Sequence, residues 1–395
     1  MKSCGIVAEY NPFHNGHKYQ VEQVRRAMKP DVVIAVMSGN FLQRGEPALI
    51  DKWTRTKMAL AGGVDLVIEL PAVFAVQPAD YFAKGAIQIM DELAVGAISF
   101  GVENGTAAEF LAGAKWMVEN DECLTEVIKS DKYSSVPYAK QVEESIKELA
   151  PDFPLHLNSP NNQLAFAYTK EVVKQGLEQQ IELLPLQRYQ AAYNEEQLNE
   201  ESTIASAKAI RKALQQSQSV QSYIPEASYP YLDTASKQYV SWDDYYHLLK
   251  YQMTIQSEEK LRKIYQMTEG LENRLKSSLR EQHHFTRFMN ELKTKRYTQT
   301  RLQRLLTYVL LQWENEAVLN ALDEKPALRV LGFSKMGREY LSYIKRDLSV
   351  PLLANVNQST KKWIPFDISA GEIYRLGREE VISEQDFTQK PVKID

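Results

Sequence analysis

Two cysteines in 395 residues leave no room for a disulfide framework. They stand far apart, Cys4 in the first apolar stretch and Cys123 in a mixed one, as in a reducing compartment. No run of about 18 apolar residues occurs, so no membrane-spanning helix is expected. No targeting segment precedes the first strand pattern, which starts at once. The expectation is a cytoplasmic chain without a membrane partner. Six histidines are few for metal clusters. The net charge of −4 excludes a whole-molecule polycation, so any nucleic-acid surface has to be local. There is no internal repeat and no low-complexity segment.

What is present suits a packed protein: 44% hydrophobic and 25% charged residues. A chain this long buries a large core and, at about 150 residues per domain, spans two or three domains. Short, nearly continuous apolar runs recur at Gly5–Ala8, Val32–Met37, Val64–Leu70, Val95–Phe100 and Ile181–Leu186. Such runs suit parallel strands covered on both faces. Helical patterns lie between them. Val21, Val24 and Met28 share one helix face. Asp51 is placed to cap a helix that reaches Ala61 and closes at Gly62-Gly63. Lys52 and Arg55 then read as a charged helix face. The alternation predicts an α/β domain with a doubly wound parallel sheet. Its ligand site belongs beyond the strand carboxyl ends, where the loops after Ala8, Met37 and Phe100 meet.

The pattern then changes. Pro151 to Asn162 is polar and Pro-rich, and Gln163 to Lys174 reads as a helix. Ser202 to Leu214 reads as one more helix, and Pro225 to Pro230 as a linker. From Tyr231 to Leu322 the pattern is helical almost throughout. Between Leu271 and Leu306 stand Arg274, Lys276, Arg280, Arg287, Lys293, Lys295, Arg296, Arg301 and Arg304. These nine basic residues face three acids, Glu272, Glu281 and Glu291, a local excess of six. Beyond Pro326, strand patterns Leu328–Phe333 and Val350–Val356 flank a helical one, Met336 to Lys345. The expected division is an α/β domain over 1–222, a helical basic region over 223–325 and a small α/β segment over 326–395.

The densest chemical signal follows the first strand: Glu9-Tyr10-Asn11-Pro12-Phe13-His14-Asn15-Gly16-His17. His14 and His17 are three apart at a helix start and project from one face. A helix N-terminus adds unpaired N–H groups and positive dipole potential, together an anion site. Gly16 lacks a Cβ, so a nucleotide can pack on the backbone there, and Pro12 stiffens the turn. A His-x-x-His pair can also hold a metal, but that needs further ligands, and the other four histidines are remote in sequence. Two surface histidines at a helix start are the plain alternative.

His14-Asn15-Gly16-His17 resembles the HxGH signature of the nucleotidyltransferase superfamily, which class I aminoacyl-tRNA synthetases share. The longer string from Gly5 to His17 resembles the bacterial tRNA(Met) cytidine acetate ligase family. So do Phe41-Leu42-Gln43-Arg44-Gly45-Glu46-Pro47-Ala48, Ser159-Pro160-Asn161-Asn162, Lys295-Arg296-Tyr297-Thr298 and Arg329-Val330-Leu331-Gly332-Phe333-Ser334. These strings span nearly the whole chain.

The resemblance implies a nucleotidyltransferase-like (HUP) first domain and a two-step reaction. Acetate and ATP give acetyl-adenylate, and the acetyl group passes to N4 of the wobble cytidine of elongator tRNA(Met). ATP is then a substrate, with Mg²⁺ accompanying it. Acetate is already ionised at neutral pH, so the first step needs positioning and charge neutralisation rather than a base. The resemblance implies His14 and His17 as catalytic residues. It implies an ATP site from Val7, Ala8, Glu9, Tyr10, Asn11, Pro12, Phe13, His14, Asn15, Gly16, His17 and Gln20. Gly101, Asn162, Arg188, Ser206 and Arg211 complete it. Without the resemblance, Gly101 is equally a turn and Asn162 equally a helix cap.

Ala205-Ser206-Ala207-Lys208-Ala209-Ile210-Arg211 resembles the superfamily's ISSTxIR string, with departures. Ala205, Ala207 and Lys208 stand where isoleucine, serine and threonine are usual; Ser206 and Arg211 carry the phosphate role over, and Lys208 could replace a hydroxyl contact by a point charge. For the tRNA the resemblance and the basic segment together imply Arg44, Lys293, Lys295, Arg296 and Arg301. His283, His284, Phe285, Tyr297 and Tyr308 are candidates to stack on unpaired bases. Two other readings stand beside this one. An HxGH adenylyltransferase that makes a cofactor needs no basic module. A non-catalytic RNA-binding protein needs no intact His14, Gly16 and His17.

Overall fold

The structure is a computed structural model. It describes residues 1–394 apart from 131–137, 156, 158, 188–196, 199–200, 269, 280–281, 295–296 and 380–381.

Among the described residues, eight strands form one sheet: β1 Ser3–Ala8, β2 Val32–Ser38, β3 Leu66–Leu70, β4 Ala97–Val102, β5 Glu182–Gln187, β6 Leu328–Phe333, β7 Leu352–Leu353 and β8 Val392–Lys393. The order is β5-β4-β1-β2-β3-β6-β7, with β8 on β6. β2 is buried along its whole length, which explains why its run is apolar without alternation. Pairing is parallel from β5 through β3, and β6 runs antiparallel to β3.

The chain lays β2 and β3 on one side of β1 and β4 and β5 on the other, all parallel, so the topological switch point lies between β1 and β4. The register opens a crevice at that place. β1 pairs β4 only from Cys4↔Ala97 to Ile6↔Ser99. Beyond this, β1 stays with β2 as far as Ala8↔Met37, and β4 stays with β5 as far as Val102↔Gln187. Cys4 sits at the base of this sheet, and burial pushes its thiol up to about 12, which keeps it protonated and inert.

The helix Asn15–Met28 buries Val21, Val24 and Met28 against the sheet and ends at Lys29, whose left-handed backbone returns its N–H to Arg25. Asp51 caps the helix Lys52–Ala61 through Thr54 N–H at 2.7 Å. The faces of that helix differ from expectation. Lys52 is 1% and Arg55 0% exposed, so both charges are interior.

Other differences are local. The helix expected from Ser202 begins only at Ala207, because Ser206 caps it through Ala209 N–H at 3.0 Å. Pro225 to Pro230 is no free linker: Ser228 is buried and its hydroxyl donates to Met58 O at 2.8 Å. The second C-terminal strand shrinks to Leu352–Leu353. Moreover, β6, β7 and β8 join the first domain's sheet instead of forming one of their own.

The basic region is a set of helices: Trp242–Ile255, Leu271–Leu279, Phe285–Leu292 and Gln299–Leu311. Leu249, Leu275, Phe288, Leu302 and Leu306 meet in its core. Three aromatics offered for base stacking belong to that interior. Phe285 stacks on Trp242 at 4.6 Å, Tyr308 is 0% exposed, and Tyr297 is buried under Arg301. Their rings have higher value in the core than on a wet surface. His283 and His284 are exposed.

Candidate active site at the carboxyl end of the first strand

The chain leaves β1 at Ala8, turns at Tyr10 with φ +48°, and passes a cis Asn11–Pro12 peptide into the helix Asn15–Met28. His14 caps that helix. Its Nδ1 accepts from Gly16 N–H at 3.0 Å, and His17 Nδ1 accepts from His14 N–H at 3.2 Å. The two imidazoles thus do what Ser and Glu do in an ordinary capping box. An Nδ1 that accepts is unprotonated, so the neutral ring carries its hydrogen on Nε2. Both rings are therefore fixed as Nε2–H donors at a helix N-terminus, where the dipole already favours an anion.

Packing fixes their planes as well. The rings stack at 3.7 Å, and Tyr10 meets the His17 ring edge-on at 4.8 Å. Phe13 lies 5.5 Å from His17 and fills the space over Gly62, where a Cβ would come within 2.4 Å of its ring. Gly16 has a reason the sequence did not show. A Cβ there would stand 2.9 Å from His14 Cε1 and 3.0 Å from its Nδ1, so only glycine lets the ring fold back onto the helix start.

The remaining expected residues gather around this turn in different roles. Gln20 spans the crevice, its Nε2 donating to Ser99 O at 3.2 Å. Asn15 donates to Thr203 O at 2.8 Å and Ser222 O at 2.9 Å, which draws the segment with Ser206 and Arg211 over the motif. Arg211 donates to Asn11 O at 2.9 Å and pairs with Glu46 at 3.3 Å. Asn11 Oδ1 accepts from Leu49 N–H at 2.7 Å, while its buried Nδ2 has no hydrogen-bond partner among the described residues. Glu9 accepts from Gln43 N–H at 2.9 Å, and burial, then the charge of Glu46, raises its carboxyl above the usual range. Val7 and Ala8 are the half-buried end of β1.

Gly101 lies in the free part of β4, beyond its pairing with β1. Asn162 does not cap its helix; Ser159 does. Asn162 is instead fully buried, accepting from Glu103 N–H at 3.0 Å and donating to Asn104 Oδ1 at 2.8 Å. It therefore latches the loop after β4 beside the crevice. Arg44 and Lys293 are exposed, and Arg301 is half-exposed over the Tyr297 ring at 4.9 Å. Lys208 is exposed. Arg188, Lys295 and Arg296 lie outside the described residues.

Arg55 was missed as a site element. Its guanidinium donates to Ile50 O at 3.1 Å, Glu9 O at 2.6 Å and Ser38 O at 2.9 Å, and also to Gly39 O. One buried cation thus collects the carbonyls where β1 and β2 end, and so sets the width of the site's floor. Burial lowers its pKa. The signal was its surroundings, since Leu49, Ile50, Trp53, Met58 and Leu60 leave that helix little solvated face. Lys52 holds Glu69 at 2.7 Å and Asp386 at 2.9 Å behind the same floor. Among the described residues no cluster of three or more histidine, cysteine or acidic side chains is suited to a metal ion.

A doubly wound sheet, an open switch point and a His-x-Gly-His helix start at its edge define a class: nucleotidyltransferases that work on the phosphates of a nucleotide. A family model described as HIGH Nucleotidyl Transferase matches residues 1–390. Relatives called tRNA(Met) cytidine acetate ligase include those of Lysinibacillus sphaericus, 39% identical with both chains covered fully, and Leuconostoc mesenteroides, 40% identical with 99% of each covered. The Bacillus subtilis relative is 39% identical, with 100% of this chain and 98% of its own covered. Thermotoga maritima TmcAL, solved without ligand, matches with a TM-score of 0.92 at 29% identity and full coverage of both chains. Its form bound with alpha-thio ATP matches at 0.89 and 29% identity, covering 100% of this chain and 99% of its own. The chain belongs to the tRNA(Met) cytidine acetate ligase family, within the HIGH nucleotidyl transferases.

Proposed function

We propose that this chain is an ATP-dependent ligase that joins acetate to N4 of the wobble cytidine of elongator tRNA(Met). The observation that carries the reading is the histidine capping box, two stacked Nε2–H donors at the switch-point crevice. A carboxylate oxygen of acetate attacks the α-phosphorus of ATP, the α–β phosphoanhydride bond breaks, and pyrophosphate leaves. His14 and His17 donate to phosphate oxygens as charge builds in the transition state. No base is required, because acetate arrives ionised. In the second step the cytidine N4 attacks the acetyl carbon, AMP leaves with the electron pair, and N4 loses a proton.

Mg²⁺ travels on the triphosphate in this reading, since such ions bind through substrate phosphates and water. The helical region 223–325 receives the tRNA, with Arg44, Lys293 and Arg301 among the contacts. Arg188 joins the ATP site, and Lys295 and Arg296 the tRNA surface, on the family's pattern alone. The division at 222 and 325 then separates adenylation from tRNA docking, and the cytoplasm is where both substrates meet.

The test is ATP–pyrophosphate exchange with and without acetate. Exchange that requires acetate supports the ligase. Exchange indifferent to acetate identifies a cofactor adenylyltransferase, and absence of both exchange and acetyl transfer identifies an RNA-binding protein.

A further inference from the structure

We infer that Arg304, with Arg301 and Arg44, forms a phosphate subsite that holds one phosphodiester of the bound RNA beside the ATP site. This rests on the ligase reading above and adds to it a place and a residue. The geometry begins with Gly45. Its φ of +75° turns the Phe41–Pro47 loop flat against the helix Gln299–Leu311, where a Cβ would come within 2.5 Å of Arg304 Cα and N. Two bonds pin that approach: Trp242 Nε1 and Thr307 Oγ1 both donate to Gly45 O, at 3.1 and 2.8 Å. Arg44 therefore stands next to the Arg304 turn. Arg301 is one turn earlier on the same helix face, with its guanidinium over the Tyr297 ring and its Nη2 donating to Thr268 Oγ1 at 3.3 Å.

Arg304 is the unusual member. Its Nε is buried and lacks a hydrogen-bond partner among the described residues. Its strongest electrostatic neighbours are the hydroxyls of Tyr308 and Tyr265 and the guanidiniums of Arg301 and Arg44, and no carboxylate stands among them. Burial, with those like charges, pushes its pKa down. Arg304 is thus a desolvated cation beside two others, with no carboxylate near it among the described residues, a costly arrangement for a folded chain. A phosphate would supply the missing counter-charge, and guanidinium forks match its oxygens. The loop also reaches the chemistry: Gln43 N–H, next to Arg44, donates to Glu9 at the end of β1. A phosphate held here would fix the RNA at a set distance from the adenylate.

The experiment measures binding of an elongator tRNA(Met) transcript to the full chain across a salt series, for wild type, R304Q and R304K. R304Q is expected to bind about tenfold more weakly and to lower the salt slope by about one unit. R304K, which keeps the charge, should restore the slope and part of the affinity. Free R304Q should melt no lower than wild type, because it loses an uncompensated cation. Unchanged affinity and slope in R304Q would overturn the subsite, as would a melting point far below wild type in both variants. A rise in the ATP concentration for half-maximal exchange, without weaker RNA binding, would assign the anion to ATP and overturn it too. Wild type that fails to bind the transcript would remove the ligase reading itself.

Discussion

Replacing Gly16 by alanine isolates the geometry of the two histidines from the stability of the fold. The new Cβ would lie 2.9 Å from His14 Cε1 and 3.0 Å from Nδ1. Ordinary carbon contacts begin near 3.5 Å, so the ring has to retreat by about 0.5–1 Å. That movement breaks the Gly16 N–H to Nδ1 bond and separates the stacked pair. Misplacing a catalytic group by about 1 Å costs about a hundredfold in rate. Stability changes little: alanine gains up to about 1 kcal/mol as a helix former, and the lost cap costs about the same. G16A should therefore lose about a hundredfold in acetate-dependent ATP–pyrophosphate exchange while urea denaturation shifts by about 1 kcal/mol or less. A double-mutant cycle with H14A gives the sharper reading. With the ring absent, G16A should add less than about threefold. An equally large loss in both backgrounds would refute the ring-based account and point to direct packing of the nucleotide on Gly16.

Other outcomes follow from the same geometry. H17A should suppress exchange by at least about a hundredfold while tRNA affinity stays within about twofold, and equal losses in both would contradict the assigned role. R55M leaves the carbonyls at the ends of β1 and β2 without their donor and should lower unfolding free energy on the order of 3–5 kcal/mol, with partial recovery in R55K; an unchanged urea midpoint would refute it. Asp367, desolvated beside Glu69, has its carboxyl raised from 3.8 to about 8. The folded chain then holds a proton that the unfolded chain releases, so this group costs stability progressively as pH rises from about 4 to 8. D367N should shift the urea midpoint upward more at pH 8 than at pH 5, and a shift independent of pH would count against it. K293A, at an exposed lysine, should reduce the salt slope of tRNA binding by about one unit; an unaltered slope removes Lys293 from the interface.

Much of the fold was readable because buried parallel strands leave a plain apolar signature. All five early runs became strands within a few residues of their expected bounds, and the Asp51 cap formed as spaced. The placement of β6 was not readable. An antiparallel strand added on β3 from about 260 residues downstream leaves no local mark. At the site, His14, Gly16 and His17 were legible as a unit, but not the capping bonds that fix their tautomer, since these arise only once the turn is made. Asn162 looked like a cap because Pro160 precedes it, yet Ser159 takes that place and frees the amide to latch residues 103 and 104. Arg55 and Lys52 misled because charge on a helix usually means solvent, and here tertiary partners outweigh that preference.

The central claim is that the crevice beside β1 activates acetate for transfer to a tRNA base. Its most direct test is incorporation of radiolabelled acetate into elongator tRNA(Met) transcripts by the purified chain with ATP. The account predicts ATP-dependent label on the transcript carrying the wobble cytidine, and none where uridine replaces it or where the enzyme is H17A. Label that ignores the wobble base, or no label despite active acetate-dependent exchange, would contradict it.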